Sequence, residues 1–285
     1  MQVCHTIDDI RDAVKGLRRS GKKVGFVPTM GNLHEGHLSL VRKAKQVADA
    51  AVVSIFVNPL QFGENEDFDA YPRTLEADCD KLTGVDAELV FAPSVNEVYP
   101  RGQENLNIVK VPDALSTLLC GEFRPGHFDG VATVVTKLFG MVTPDVAFFG
   151  EKDFQQLVVI KRMTEDLSLP VEVIGQPTVR EQDGLAMSSR NGYLSEQERE
   201  TAPFLFQTLQ ETMSQITVGG KTDFRALVAD AELTLREHGF RPQYYRICRQ
   251  DDLLPAVPGD KRLVILVAAH LGQTRLIDNI RFELK

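Results

Sequence analysis

The sequence predicts an α/β protein with a Rossmann-like, mostly parallel sheet carrying helices on both faces, followed by a smaller α+β domain. Two observations support this. Through about the first 175 residues, short apolar runs alternate with stretches of helical periodicity, as in parallel sheets whose strands are joined by helices. After Pro177 three apolar runs follow one another without helical segments. We therefore expect an N-terminal domain over 1–177 and a C-terminal domain over 178–285.

The first predicted strand of the N-terminal domain contains Val24, Phe26 and Val27, and Pro28 is expected to end it. Other apolar runs and helical patterns complete the alternation. Strands are predicted over 51–57, 88–92, 145–149 and 171–175, and helices over 38–49, 74–82, 131–141 and 154–167. In such a sheet the ligands bind at the carboxyl ends of the strands.

The C-terminal domain is predicted to begin with a loop and a long helix. Ser195 and Glu198 have the spacing of a capping box, which marks the start of that helix. A second helix is predicted over 228–238, and strands over 244–248, 263–269 and 275–282.

Composition excludes several classes of protein. The chain has 285 residues and a net charge of −8, which argues against a nucleic-acid-binding surface because such surfaces are basic. The four cysteines show no CxxC spacing, so neither a zinc site nor a disulfide framework is indicated and reduced thiols are expected. Asp8 and Asp9 are atypical of a signal peptide, and no apolar run reaches the roughly 20 residues of a membrane span. We expect a cytoplasmic protein.

The stretch from Val24 to His37 carries the clearest functional signal. Its strand ends in a turn at Gly31, and a helix is expected to begin near His37. Unpaired N–H groups and the positive end of the helix dipole favour an anion at that point. His34 and His37, three residues apart, would lie on one face of the first helical turn. The pattern predicts a site for nucleotide phosphates.

A second cationic site is expected after the strand over 145–149. Lys152 follows Gly150 at the mouth of a helix, with Asp153 as the expected N-cap. A lysine at that position reaches phosphates as a point charge. Neither a P-loop, a Gly-x-Ser-x-Gly motif nor a paired Cys/His motif occurs, so acyl-phosphate and covalent routes are disfavoured.

The His34-Glu35-Gly36-His37 element resembles the HxGH signature of the nucleotidyltransferase superfamily. The longer run Pro-Thr-Met-Gly-Asn-Leu-His-Glu-Gly-His is narrower and resembles the pantothenate synthetase family. Further matches to that family cover nearly the whole chain, with about the last ninety residues the least diagnostic. They lie at 56–62, 71–74, 121–128, 149–153 and 187–191.

The resemblance implies ATP-dependent condensation of pantoate with β-alanine through a pantoyl adenylate, with release of pyrophosphate and AMP. It also implies Mg²⁺ as a cofactor, small-molecule partners only, a homodimer formed through the first domain, and closure of the second domain over the nucleotide. Two other classes stay open on the residues alone. One is a nucleotidyltransferase that retains AMP or CMP in its product, and the other is a noncatalytic nucleotide sensor.

The resemblance also implies which residues form the site. ATP contacts are expected from Met30, Gly31, Asn32, Leu33, His34, Glu35, Gly36, His37, Gly150, Glu151, Lys152, Asp153, Val179, Met187, Ser188, Ser189 and Arg190. The expected catalytic residues among them are His34, His37, Lys152, Ser188, Ser189 and Arg190, with His37 as a proton donor.

Substrate and metal contacts follow from the same resemblance. Gln61 is expected to bind pantoate and β-alanine, and Gln156 to bind pantoate. Asp78 matches a position associated with magnesium, although Ala77 stands where a second acid can occur. The acidic run from Glu64 to Asp67, with Asp69, is interpreted as a solvated loop. Arg124 and His127 are expected to brace the fold and a subunit contact, and contact with the ligand stays open as the alternative.

Overall fold

The computed structural model describes residues 1–63, 68–69 and 71–284. It contains two compact units. Unit 1 comprises Met1–Glu151 and Gln156–Pro177, and unit 2 comprises Lys152–Gln155 and Thr178–Lys285. The chain thus enters unit 2 twice, once in a short segment after Glu151 and once after Pro177. The acidic run 64–67, for which we expected a solvated loop, lies outside the described residues.

The sheet of unit 1 confirms the predicted fold class. It has six strands in the order β1-β4-β3-β2-β5-β6, and every neighbouring pair is parallel. The strands are β1 Gln2–Cys4, β2 Val24–Thr29, β3 Ala50–Ile55, β4 Leu89–Phe91, β5 Val146–Gly150 and β6 Glu172–Gln176. All five predicted strands are present, and β1 is an additional edge strand.

Eight α-helices belong wholly or partly to unit 1 in its described residues. They are α1 Ile7–Arg19, α2 Glu35–Val47, α3 Leu75–Thr83, α4 Val95–Val98, α5 Asp113–Ser116, α6 Cys120–Phe123, α7 His127–Val142 and α8 Phe154–Asp166. Short 3₁₀ helices occupy Pro59–Gln61 and Glu151–Asp153. The four predicted helices correspond to α2, α3, α7 and α8.

The two elements at the N-terminus were not predicted from the sequence. β1 has three residues, which is too few to show a period of two. α1 has a recognisable start, since the Thr6 side chain accepts a hydrogen bond from the Asp9 backbone N–H, and Asp8 and Asp9 lie in its first turn. Asp8 and Asp9 therefore mark a helix N-terminus.

Pro28 does not end β2, contrary to the prediction. The strand continues to Thr29, and Pro28 pairs with Ser54 of β3. On its other side β2 pairs with β5 only at Gly25 and Phe26. Pro28 lies beyond that part of the ladder, so its missing N–H removes no strand hydrogen bond.

The core of unit 1 explains why these strands are almost wholly apolar. Both faces of a parallel sheet are covered by helices, so the strands need apolar side chains in both directions. One face of the sheet buries a cluster with α2, which includes Val27, Val53, Val90, Phe148 and Leu40. This packing fixes the orientation of α2 on the sheet.

The strand order reverses between β2 and β5. Strands β3, β4 and β1 lie on one side of β2, and strands β5 and β6 lie on its other side. Ligands of open α/β sheets bind at the carboxyl edge at such a reversal. The turn that precedes His34 follows β2 there, and Glu151 follows β5. The topology therefore brings two predicted nucleotide-binding segments of unit 1 to neighbouring strand ends.

Unit 2 contains a three-stranded antiparallel sheet and three helices in its described residues. The strands β7 Phe240–Arg249, β8 Arg262–Leu271 and β9 Thr274–Glu283 pair in chain order. The helices are α9 Glu196–Thr201, α10 Phe204–Thr217 and α11 Phe224–Glu237, and a 3₁₀ helix occupies Ser189–Tyr193. The three predicted strands are confirmed.

The predicted long helix of unit 2 is two helices. Ser195 and Glu198 do form a capping box at the start of α9. However, α9 ends at Thr201, and α10 begins after Pro203. Because proline has no N–H to donate within a helix, the helical pattern is interrupted there. None of the described helices is long and apolar enough to cross a membrane.

A close backbone contact holds the Pro59–Gln61 turn against α7. A methyl group on Gly130 would lie 2.1 Å from the Leu60 carbonyl oxygen, so alanine forces the two segments apart. We expect Gly130→Ala to lower the free energy of unfolding by about 1–3 kcal/mol, measured by chemical denaturation. Gly140→Ala is the matched control on the same helix, because nothing lies within 4 Å of its added methyl. Equal stabilities of the two variants would contradict the packing argument.

Candidate active site

The first turn of α2 is capped by histidine instead of the usual Ser, Thr, Asp or Asn. The helix begins at Glu35, and His34 Nδ1 accepts a hydrogen bond from the Gly36 backbone N–H at 3.2 Å. His37 Nδ1 accepts one from the His34 backbone N–H at 3.3 Å, which completes a capping box. The two imidazole centroids are 4.1 Å apart, so both rings lie together at this helix N-terminus.

The cap also determines the tautomer of both rings. A nitrogen that accepts an N–H hydrogen bond carries no proton, so in the neutral imidazole the proton is on Nε2. Both Nδ1 atoms accept from backbone N–H groups. His34 and His37 therefore present Nε2–H as a donor, which is the form that a phosphate oxygen accepts from.

The turn before the helix has an unusual backbone. Gly31 and Asn32 have φ angles of 86° and 50°, in the left-handed region. The Thr29 hydroxyl accepts from the Gly31 N–H at 3.2 Å. The next two N–H groups donate to one carboxylate, from Asn32 to Asp78 Oδ2 at 2.9 Å and from Leu33 to Asp78 Oδ1 at 2.8 Å.

Asp78, on α3, does not have the surroundings of a magnesium ligand. It is fully buried, and the Thr74 hydroxyl donates to Oδ2 in addition to the two backbone N–H groups. Mg²⁺ prefers oxygen ligands in octahedral geometry, usually with retained waters. Within residues 1–63, 68–69 and 71–284, no group of three or more His, Cys, Asp or Glu side chains is placed to hold a metal ion. These donors do not fit a resident Mg²⁺ site.

A buried hydrogen-bond network determines the orientation of Gln61. Asn58 Oδ1 accepts from the Leu60 backbone N–H, and Asn58 Nδ2 donates to the Gly130 carbonyl, so backbone partners fix the amide of Asn58. The same Nδ2 donates to Gln61 Oε1 at 3.0 Å. The Tyr99 hydroxyl donates to Asn58 Oδ1 at 2.8 Å. With Oε1 engaged, Gln61 is oriented to donate through Nε2.

Two further side chains hold the backbone of Gln61. Arg124 donates to its carbonyl oxygen at 3.1 Å, and His127 Nδ1 donates to the same oxygen at 2.9 Å. Arg124 also contacts His127 Nε2 at 3.0 Å. Since a guanidinium only donates, Nε2 is the acceptor and the His127 proton is on Nδ1. These contacts agree with the expectation that Arg124 and His127 brace the fold.

Lys152 belongs to unit 2, where β9 holds its backbone. The Asn279 side-chain amide donates to the Lys152 carbonyl at 2.9 Å. Next to it, the buried Asp278 carboxylate accepts a bidentate pair of bonds from Arg180 at 2.6 and 2.9 Å. The Arg180 guanidinium stacks on Phe206 at 3.5 Å. A satisfied buried ion pair of this kind rigidifies the backbone next to it. The backbone of Lys152 is therefore held in place by β9.

The segment with Ser188, Ser189 and Arg190 is a capped 3₁₀ helix. The Ser188 hydroxyl accepts from the Arg190 backbone N–H at 3.3 Å. Before it, the Met187 N–H donates to the Val179 carbonyl at 3.0 Å. The predicted residues 179 and 187–190 therefore lie together in unit 2.

The remaining predicted residues lie at helix starts. Glu35 is exposed and pairs with Arg42 of α2, while Asp153 is exposed and Glu151 is buried. Gln156 is half-buried on α8. The sequence interpretation missed Tyr99, Lys81 and Asn279, whose partners are distant along the chain. Asn58 was missed as well, although its role as a helix cap had a local signal, because asparagine before proline is common at a helix start.

Comparison with known proteins identifies the family. The family model described as Pantoate-beta-alanine ligase matches residues 2–281. The chain belongs to this family. Two curated relatives, both called pantothenate synthetase, align with this chain along almost their whole length. The one from Marinobacter nauticus is 57% identical over 98% of this chain and 99% of its own, and the one from Stutzerimonas stutzeri is 56% identical over 100% and 99%.

Solved structures of the ligase family have the same fold. A pantothenate synthetase from Thermus thermophilus matches with a TM-score of 0.92 and 45% identity over 98% of this chain and 99% of that chain. A pantoate-beta-alanine ligase from Francisella tularensis, solved with beta-gamma ATP and beta-alanine, matches with a TM-score of 0.81 and 34% identity. It covers 98% of this chain and 97% of its own.

The cap of α2 predicts that His34 has a structural role separable from ligand binding. We expect His34→Ala to lower the free energy of unfolding by about 1 kcal/mol, because the Gly36 N–H loses its acceptor. His34→Asn supplies an oxygen acceptor at the same place, so its stability should be close to that of the wild type. Denaturant titration of both variants measures the difference. If the two were equally destabilised, the cap would not be the cause.

Proposed function

We propose that this ligase converts ATP, (R)-pantoate and β-alanine into pantothenate, AMP and pyrophosphate through an enzyme-bound pantoyl adenylate. The observation that carries the proposal is the pair of imidazoles at the N-terminus of α2, each with Nδ1 engaged in the cap. Membership of the pantoate-beta-alanine ligase family supports pantoate and β-alanine as the two substrates that are joined. The Francisella relative, solved with beta-gamma ATP and beta-alanine, supports ATP and β-alanine as ligands.

The chemistry requires a site of this kind. A carboxylate resists attack by an amine because oxide would have to leave, so it must first be converted to a mixed anhydride. The pantoate carboxylate attacks the α-phosphorus of ATP and pyrophosphate leaves. The β-alanine amine then attacks the acyl carbon and AMP leaves. Positioning and stabilisation of negative charge are the main contributions of the protein in the first step.

The proposed roles follow from charge and hydrogen-bonding capacity. His34 and His37 donate hydrogen bonds to the phosphates from Nε2–H. The donor role expected of His37 is this hydrogen bond to the departing pyrophosphate, since a neutral imidazole whose Nδ1 accepts an N–H has no second proton to transfer. Lys152, Ser188, Ser189 and Arg190 also bind the triphosphate. The backbone of 30–37, Gly150–Asp153, Val179 and Met187 completes the ATP contacts. Mg²⁺ would be supplied as the counter-ion of ATP, and it would neutralise phosphate charge.

Gln61 and Gln156 are proposed to bind pantoate, and Gln61 also β-alanine. The support for Gln61 is its orientation, since a side chain that presents an N–H donor suits a carboxylate or a hydroxyl. The proposed location is the cytoplasm. The four cysteines lie within the described residues and form no disulfide there. A homodimer, testable by analytical ultracentrifugation, is part of the proposal.

The decisive experiment is exchange of labelled pyrophosphate into ATP. We expect exchange that requires pantoate, because adenylation is reversible while the intermediate stays bound, followed by stoichiometric AMP on addition of β-alanine. Reactions without pantoate and with a noncarboxylate analogue are the controls. A nucleotide sensor would bind ATP without exchange, and a transferase that retains the nucleotide would release no AMP. Either result would reject the proposed function.

The network around Gln61 predicts the effect of a distant hydroxyl. Tyr99→Phe removes the donor to Asn58 Oδ1, which weakens the hold on the Gln61 amide. We expect the KM for pantoate to rise about tenfold, corresponding to one lost hydrogen bond of about 1–1.5 kcal/mol, with the KM for ATP little changed. Steady-state kinetics with each substrate varied in turn measures this.

Tyr245→Phe is the matched control. Its hydroxyl is also buried, and it donates to Thr212 in unit 2 at 2.8 Å. This variant should lose comparable stability and keep the KM for pantoate. Equal kinetic effects of the two variants would mean that Tyr99 acts only through general stability.

A further inference from the structure

Two side chains of α3 bind the turn that precedes the histidine pair. Asp78 accepts from the Asn32 and Leu33 backbone N–H groups, at 2.9 and 2.8 Å. Lys81, three residues later on the same helix, donates from Nζ to the Leu33 carbonyl at 2.7 Å. The backbone N–H and the backbone carbonyl of Leu33 are thus both engaged by α3.

The turn needs such support because its backbone is in an unfavourable region. Asn32 has a φ of 50°, and Gly31 has a φ of 86° with its Cα close enough to Asp78 that a methyl there would lie 3.2 Å from Oδ2. A non-glycine residue in the left-handed region, here Asn32, persists only where surrounding contacts hold it. The next residue after the turn is His34, whose side chain caps α2 and whose N–H binds His37. A shift of the turn therefore moves both imidazoles.

We propose that Asp78 and Lys81 are positioning residues, which hold the turn at 31–33 so that His34 and His37 meet the ATP phosphates, and that Asp78 is not a magnesium ligand. This inference rests on the proposed function for the identity of the ligand. The two halves of the proposal, the positioning role and the absence of a magnesium ligand, rest on the same hydrogen bonds. These bonds hold the turn and also occupy the Asp78 carboxylate.

The charge pattern around Asp78 supports the second half. Three donors direct their partially positive hydrogens at its oxygens, from Asn32, Leu33 and Thr74. A divalent cation on the same oxygens would be repelled by those dipoles and by the Lys81 ammonium, which binds the carbonyl of the same turn. The buried carboxylate is satisfied by N–H and O–H groups alone.

The test is Asp78→Asn, which has nearly the same shape. An amide has one acceptor oxygen, so its NH₂ group must face one of the two backbone N–H groups. We expect the KM for ATP to rise at least tenfold and the KM for pantoate to change less than twofold. The Mg²⁺ concentration that gives half-maximal rate, measured at saturating ATP, should not change. Hydrogen exchange of the Asn32 and Leu33 amides should become faster.

Two other variants sharpen the test. Lys81→Met keeps the aliphatic stem and loses the bond to the Leu33 carbonyl, so it should raise the KM for ATP three- to tenfold. It carries the test if Asp78→Asn does not fold. Asp80→Asn removes a charge from an exposed position of the same helix and should leave every measurement unchanged.

Several results would overturn the inference. One is a higher Mg²⁺ requirement in Asp78→Asn together with recovery of the rate at excess Mg²⁺, which would make Asp78 a metal ligand. Another is an unchanged KM for ATP in both Asp78→Asn and Lys81→Met. The hydrogen-exchange measurement needs no turnover and so does not depend on the proposed function. Faster amide exchange in Asp78→Asn supports the role of Asp78 in holding the turn even if the wild type fails to exchange pyrophosphate into ATP. Unchanged amide exchange rates in this variant reject that role.

Discussion

The turn between β2 and α2 depends on one buried carboxylate. Asp78 accepts from two successive backbone N–H groups of that turn. The turn ends at His34, and the helix that His34 caps carries His37. The backbone geometry of the strand end, the start of the helix and the direction of both imidazoles thus form one connected set. Because the carboxylate is shielded from water, its bonds to these N–H groups are stronger than they would be at the surface.

The same arrangement recurs around Gln61, the glutamine that we propose to bind substrate. Asn58 is fixed by a backbone donor on one side and a backbone acceptor on the other, and so its amide has only one favourable orientation. That orientation passes to Gln61 through the next hydrogen bond. In unit 2 the Asn279 amide holds the backbone of Lys152 in a comparable way. In each case a residue proposed to bind ligand is oriented by a buried polar neighbour that we expect not to touch the ligand.

How much of this was predictable differs between fold and site. The alternation of apolar runs and helical periods identified five of six strands and the main helices of unit 1, because buried parallel strands and amphipathic helices leave strong patterns. The three-residue β1 left no such pattern, and Pro203 divided a helix whose pattern continues through it. The HxGH turn was predictable because glycine and a helix start are local features. The interpretation of Asp78 as a metal residue came from resemblance alone, without knowledge of its neighbours.

The sequence by itself determined the fold class, the family and the positions of the residues expected to bind nucleotide, because these depend on local periodicity and on contiguous motifs. Only the tertiary structure decided which side chains hold those residues in place. Asp78 lies 45 residues from Leu33 along the chain, Tyr99 lies 41 from Asn58, and Asn279 lies 127 from Lys152. Hydrogen bonds over such separations exist only after the strands and helices have packed, so no local pattern in the sequence encodes them.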